Sequence, residues 1–136
     1  MKLFVDTNIL IDIIANRKPW VEDALILLEL SRQRKVELIT ADFSLLNIAY
    51  IVRKMFALPD ICLLLNDLKK YLHIVEMGDD VLSHALTAGW PDLEDCVQSL
   101  IASREKAEFI ITRNEKDFLL SDVAVLSPQQ FLEKFL

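Results

Sequence analysis

Along this chain, short apolar runs alternate with segments in which apolar residues recur at every third or fourth position. The apolar runs are typical of buried β-strands and cover residues 2–5, 36–40, 73–77, 109–112 and 124–126. The periodic segments predict helices at residues 21–31, 45–56, 59–72, 79–88, 91–106 and from 128 onward, with a short helical turn at 116–120. The sequence therefore predicts a fold in which strands and helices alternate.

The strand residues also indicate how the sheet is covered. They are apolar at successive positions, which is expected when helices cover both faces of a parallel sheet. We therefore predict an α/β fold, a three-layer sandwich with a central parallel sheet, formed by a single domain of residues 1–136. No apolar run approaches the roughly 20 residues of a membrane span, and no secretory leader is recognisable. A cytoplasmic protein with no membrane partner is expected.

Acidic residues stand where the predicted strands end or where a helix begins. Asp6 directly follows the first strand, Asp92 and Asp95 open the helix at 91–106, and Asp117 lies shortly after the strand at 109–112. In parallel α/β sheets, ligands bind outside the carboxyl ends of the strands. We therefore expect these acids to meet at one edge of the sheet.

Each of these polar residues also has a simpler structural interpretation. Asp92 and Asn114 are suited to capping the helical turns that follow them. Asp6 has no such role, because apolar residues flank it and an unpaired buried carboxylate costs several kcal/mol or shifts its pKa. Its partner is either a basic side chain, for example Arg113, or a bound cation.

A cluster of carboxylates favours a hard divalent ion such as Mg²⁺ or Mn²⁺. No pair of His or Cys residues has the spacing of a zinc site. Such an ion activates water and neutralises charge on a phosphate, so the chemistry indicated is hydrolysis of a phosphate ester.

Three motifs together resemble a known family. F-V-D-T-N-I-L at 4–10, D-L-E-D at 92–95 and I-I-T-R-N-E-K-D-F at 110–118 are similar to the signatures of PIN domains, in the same order and across essentially the whole chain. The single-domain length resembles the VapC-type toxins of bacterial toxin–antitoxin pairs. The resemblance implies a Rossmann-like sheet, an endoribonuclease dependent on Mg²⁺ or Mn²⁺, an RNA substrate, a cognate antitoxin and a homodimer.

The resemblance also assigns roles to individual residues. The catalytic, metal-binding acids are Asp6, Asp95 and Asp117, with Asp92 as a further metal-binding acid. The polar residues that orient these ligands are Asn8, Thr112 and Asn114. PIN nucleases usually carry a Glu in the helix after the second strand, and Asn47 stands at that position here. Asp42, five residues earlier, compensates only if the start of the helix turns it inward.

Two alternatives follow from these departures. The loss of a charge at Asn47 suggests a catalytically weak PIN scaffold that acts by binding RNA or protein. A phosphatase that forms an aspartyl phosphate needs a second Asp two residues after the first, where Asn8 stands. The net charge of −6 argues against RNA binding by surface charge alone, so we expect RNA binding to depend on divalent ions.

Overall fold

The computed structural model describes residues 1–136 and contains a five-stranded parallel sheet. The strands are β1 Lys2–Val5, β2 Glu37–Ala41, β3 Leu72–Val75, β4 Phe109–Ile111 and β5 Val125–Leu126. Their order across the sheet is β3-β2-β1-β4-β5, and every neighbouring pair is parallel. The predicted α/β fold with a central parallel sheet is confirmed, and each strand differs from its predicted range by at most two residues at either end.

Seven α-helices connect and cover these strands. They are α1 Thr7–Ile14, α2 Trp20–Arg32, α3 Asp42–Ile51, α4 Leu58–Leu68, α5 Asp79–Thr87, α6 Leu93–Arg104 and α7 Pro128–Phe135, and a short 3₁₀ helix spans Glu115–Phe118. The sequence analysis did not predict α1. Six of its eight residues are buried, and the helix follows β1 directly and makes only about two turns, which is too short for a helical period to be recognised. None of the helices combines the length and the apolar character needed to cross a membrane.

The core lies on both faces of the sheet. Leu3 and Val5 of β1 pack on one face with α1, α2, α3, α4 and α7, whereas Phe4 packs on the other face with α5 and α6. Both faces are therefore covered by helices, which explains why the strands are apolar at successive positions. The result is the three-layer arrangement that the sequence predicts.

The direction of the strand order changes at β1. β1 pairs with β2 on one side and with β4 on the other, and Val5 lies opposite Ile111 in the β1–β4 register. The residues that follow these two strands, Asp6 and Thr112, are therefore neighbours at the carboxyl edge of the sheet. A crevice for a ligand is expected at such a reversal of strand order.

Candidate active site

Asp6 lies at the centre of this edge. It occupies the N-cap position of α1, yet its carboxylate caps no backbone N–H group, and the residue is only 5% exposed. The Thr112 hydroxyl donates to its Oδ2 at 2.6 Å, and Gln98 Nε2 donates to its Oδ1 at 3.0 Å. No ion pair in the structure involves Asp6. Burial is the main cause that raises the pKa of Asp6.

Arg113 is not the partner of Asp6. Its guanidinium group donates to both carboxylate oxygens of Asp12, from Nε at 2.6 Å and from Nη2 at 3.0 Å, and Asp12 is completely buried. The guanidinium carbon also lies 4.0 Å from the centre of the Trp20 ring. The Arg113–Asp6 pair considered from the sequence is therefore wrong, and Asp6 has no positively charged partner in the protein.

The start of α6 brings two further acids to the same edge. Asp92 is the N-cap residue, exposed, and its Oδ1 accepts a hydrogen bond from the Asp95 N–H at 2.9 Å. Asp95 is half-buried, and its pKa is raised to about 7. Burial is the largest cause, followed by the negative charges of nearby acids, namely Asp92, Asp6, Asp117 and Glu94. The four acids predicted from the sequence therefore lie close enough to influence one another.

Asp117 approaches from the 3₁₀ helix after β4. It is exposed, and it lines a cavity of about 240 Å³ together with Asp92, Asp95 and Lys116. A larger cavity, about 500 Å³, lies at the opposite edge of the sheet near the starts of β2 and β3 and contains none of these acids. The smaller cavity is therefore the one whose chemistry fits a catalytic site.

Thr112 connects three polar residues that the sequence analysis singled out. Its hydroxyl oxygen donates to Asp6, accepts from the Asn114 backbone N–H at 3.0 Å and lies 3.5 Å from Asn8 Nδ2. Asn114 precedes the 3₁₀ helix, but its side chain makes no capping hydrogen bond. The structural alternative considered for Asn114 is therefore wrong, and its observed contact is the one that holds the Thr112 hydroxyl.

The donor groups at this edge suit a hard divalent cation. They are carboxylate oxygens together with Asn8 Oδ1, which is buried and has no hydrogen-bond partner. No three acidic, His or Cys side chains converge closely enough to ligate one ion in the structure. The donor chemistry therefore fits a divalent cation, and sharing one ion requires the carboxylates to move closer together.

The chain is similar to a protein family, to a curated protein and to several solved structures. The family model described as PIN domain matches residues 2–116, which is most of the chain. The chain belongs to the PIN domain family. Ribonuclease VapC1 of Aquifex aeolicus (strain VF5) is 26% identical over 142 residues, covering 98% of this chain and 95% of that protein.

Solved structures resemble this PIN domain in fold. A structure of VapBC2 from Rickettsia felis bound to a DNA fragment from their promoter matches with a TM-score of 0.69 and 15% identity, covering 93% of this chain and 98% of that one. A toxin–antitoxin complex from Klebsiella pneumoniae matches with a TM-score of 0.67 and 23% identity, covering 94% and 98%. PIN domains use divalent metal ions, in agreement with the oxygen donors at the edge of the sheet where Asp6, Asp92, Asp95 and Asp117 lie, called the acid edge below.

In this PIN domain, α3 carries both Asn47 and Asp42. Asn47 is half-buried and lines a cavity of about 330 Å³ that Glu94 also lines. Asp42 is exposed, and its Oδ1 accepts a hydrogen bond from the backbone N–H of the next residue, Phe43, at 2.7 Å. The start of α3 therefore does not turn Asp42 inward, and the compensation considered from the sequence is wrong.

Four residues of the site were not predicted as functional. They are Thr7, Ser44, Glu94 and Gln98. Gln98 is 1% exposed, donates to Asp6, and accepts from the Thr7 backbone N–H at 3.2 Å. A signal for Gln98 was present, because it lies three residues after Asp95 on a small or polar face of α6 that Ser99 continues. The contacts of Thr7 depend on three separate elements, so no local pattern could reveal them.

The pKa of Asp95 predicts how the stability of the metal-free PIN domain varies with pH. Because the folded-state pKa of Asp95, about 7, exceeds the ordinary aspartate pKa of 3.8, the stabilising contribution of Asp95 is complete below the ordinary value. It is lost as the pH rises through about 7. The charged groups that act on Asp95 are Asp92, Asp6, Asp117 and Glu94, and Lys116 lines the same cavity as Asp95.

We therefore expect the wild-type Tm in EDTA to fall more steeply between about pH 5 and about pH 8 than the Tm of Asp95→Asn. Differential scanning fluorimetry at several pH values measures this difference. Because both proteins share every other titrating group, parallel curves would contradict the inferred desolvation of Asp95.

Proposed function

We propose that this protein is a divalent-metal-dependent endoribonuclease and the toxin of a type II toxin–antitoxin pair. The observation that carries the proposal is Asp6, a buried carboxylate that lacks a basic partner and lies beside other acids. The similarity of the chain to Ribonuclease VapC1 and to a toxin–antitoxin complex supports the same conclusion.

The cofactor we propose is Mg²⁺ or Mn²⁺, held by Asp6, Asp95 and Asp117, with Asp92 at the rim. When bound, such an ion lowers the pKa of a water molecule and neutralises charge on the scissile phosphate. Each ion also offsets two of the six net negative charges of the chain, so the acid edge attracts RNA only when it is loaded.

The remaining polar residues position the site. Thr112 and Gln98 donate to different oxygens of Asp6 and fix the orientation of its carboxylate. Asn8 Oδ1 has no partner in the protein and is available to a ligand. Lys116 lines the acidic cavity and supplies a positive charge for a phosphate of the RNA backbone.

A test of this function is RNA cleavage by the purified protein with Mg²⁺, with Mn²⁺ and with excess EDTA. We expect cleavage with either metal and none in EDTA. Asp95→Asn, purified in parallel, controls for contaminating ribonucleases, because a contaminant cleaves equally in both preparations. Cleavage that persists in EDTA would rule out the metal-dependent mechanism.

A second candidate function is an inactive scaffold that binds RNA or protein. Asn47 favours this function. PIN nucleases usually carry a Glu at this position of the helix, and an amide there removes one negative charge from the site. Calorimetry with millimolar Mg²⁺ separates the two functions. A scaffold shows no measurable metal binding, whereas the ribonuclease binds the ion and cleaves RNA.

The partners we propose are a cognate antitoxin and a second copy of this chain, acting in the cytoplasm, where RNA substrates lie. Exposed apolar side chains support a protein partner: Leu46 and Tyr50 on α3 are 75% and 65% exposed, and Leu58 on α4 is 66% exposed. The resemblance to a toxin–antitoxin complex supports the antitoxin.

A further inference from the structure

We propose that Glu94, at the start of α6, belongs to the acid site and supplies the negative charge that Asn47 lacks on α3. This inference rests on the proposed function. It adds a carboxylate that was not among the acids predicted from the sequence, and it explains how the site can function with an amide on α3.

The position of Glu94 differs from that of an ordinary acid in a first helical turn. Glu94 is the second residue of α6, where a carboxylate that interacts only with the helix dipole can stay in solvent. Instead it is half-buried, and its Oε1 lies 3.1 Å from Thr7 Oγ1. Thr7 is 5% exposed and directly follows Asp6, so the Glu94 carboxylate points toward the base of the site.

A chain of hydroxyl groups fixes this orientation. Thr7 Oγ1 also lies 2.9 Å from Ser44 Oγ, and Ser44 is completely buried on α3. A hydroxyl has one proton, so Thr7 can donate to Glu94 while it accepts from Ser44. α1, α3 and α6 are thereby joined at one point, and Glu94 is the charged member of that contact.

Asn47 and Glu94 lie on opposite sides of one space. Asn47 follows Ser44 by three residues and therefore lies on the same side of α3. Asn47 and Glu94 both line the cavity of about 330 Å³ between α3 and α6. Two carboxylates in this cavity would repel each other without a cation. With Glu94 on α6 and the neutral Asn47 on α3, the cavity has a single negative charge there, and either position could carry it.

The electrostatics of the neighbouring acids agree with this placement. The charge of Glu94 contributes to the raised pKa of Asp6 and also to that of Asp95. Those two acids come from different elements, the end of β1 and the first turn of α6. A charge that acts on both lies near both, and it adds to the negative field that attracts a cation.

The test is a set of variants in which the charge is removed from α6 and restored on α3. We expect Glu94→Gln to weaken Mn²⁺ binding by about 10-fold or more, measured by titration calorimetry with the metal alone. The double variant Glu94→Gln/Asn47→Glu is expected to recover most of that loss. RNA cleavage by the same proteins should follow the Mn²⁺ affinity.

Glu22→Gln is the matched control. Glu22 is an exposed acid in the first turn of α2. Its variant therefore loses an interaction with a helix dipole but leaves the acid site unchanged. We expect wild-type Mn²⁺ affinity for it, and circular dichroism confirms the fold of every variant.

The outcomes separate this inference from the proposed function. Glu94→Gln with wild-type Mn²⁺ affinity, while Asp6→Asn loses binding, would overturn the role of Glu94 and leave the ribonuclease intact. If the double variant does not recover Mn²⁺ affinity, the inference that Glu94 supplies the charge that Asn47 lacks would be overturned. A wild-type protein that binds no Mn²⁺ would overturn both proposals.

Discussion

Asp6→Asn is expected to lower RNA cleavage by about 10³-fold, because it removes the most deeply buried of the acids proposed to hold the cation. Asparagine has nearly the same shape as aspartate, and its oxygen can still accept one of the hydrogen bonds from Thr112 and Gln98. Burial disfavours the ionised form of Asp6, so the variant avoids a cost that the metal-free wild type bears at neutral pH. Its Tm in EDTA should therefore equal or exceed that of the wild type.

This combination distinguishes a functional residue from a structural one. Cleavage of a labelled RNA with Mn²⁺ gives the activity, and thermal unfolding in EDTA gives the stability. A structural role for Asp6 would lower both quantities together. Cleavage at the wild-type rate would remove Asp6 from the mechanism.

Asp12→Ala is expected to lower the free energy of unfolding by about 3–5 kcal/mol, because it leaves the largely buried guanidinium group of Arg113 without its partner. Asp12 is completely buried and accepts two hydrogen bonds from Arg113. Arg113 belongs to the segment between β4 and the 3₁₀ helix, so the loss of the pair also loosens the segment that carries Asp117. Urea unfolding followed by circular dichroism measures the effect.

A surface ion pair provides the control for this prediction. Glu29 and Arg32 approach to 2.6 Å on the exposed side of α2, and Glu29→Ala should change the midpoint of urea unfolding very little. The double variant Asp12→Ala/Arg113→Ala completes a cycle for the buried pair. Unfolding midpoints that match for Asp12→Ala and Glu29→Ala would contradict a structural role of the buried pair.

The sequence predicted the sheet well because a strand buried on both faces leaves a continuous apolar run. It also placed Asp6 at the end of β1 and Asp117 shortly after β4, because both strands could be recognised, whereas the roles of these acids stay predictions. It did not predict α1, which has only eight residues and follows β1 directly, so that few positions remain in which a helical period could be recognised. That residues 1–136 form one domain stays a prediction.

The contacts of the site were harder to predict than its acids. Arg113 was considered for Asp6 as one example of a basic partner, yet its side chain reaches Asp12 on α1, a helix that was not predicted. Glu94 resembles an ordinary acid at a helix start until the fold brings Thr7 to within 3.1 Å. Such choices depend on side-chain direction, which local spacing does not determine.

The hydrogen bonds of Asp6 have a consequence for a chain that is still being synthesised. Asp6 leaves the ribosome before its two donors, Gln98 and Thr112, which come 92 and 106 residues later. β1 likewise gains its neighbour β4 only late in synthesis. A nascent chain therefore carries an unfinished site, and Asp6 gains both of its hydrogen-bond donors only after Thr112 has been translated.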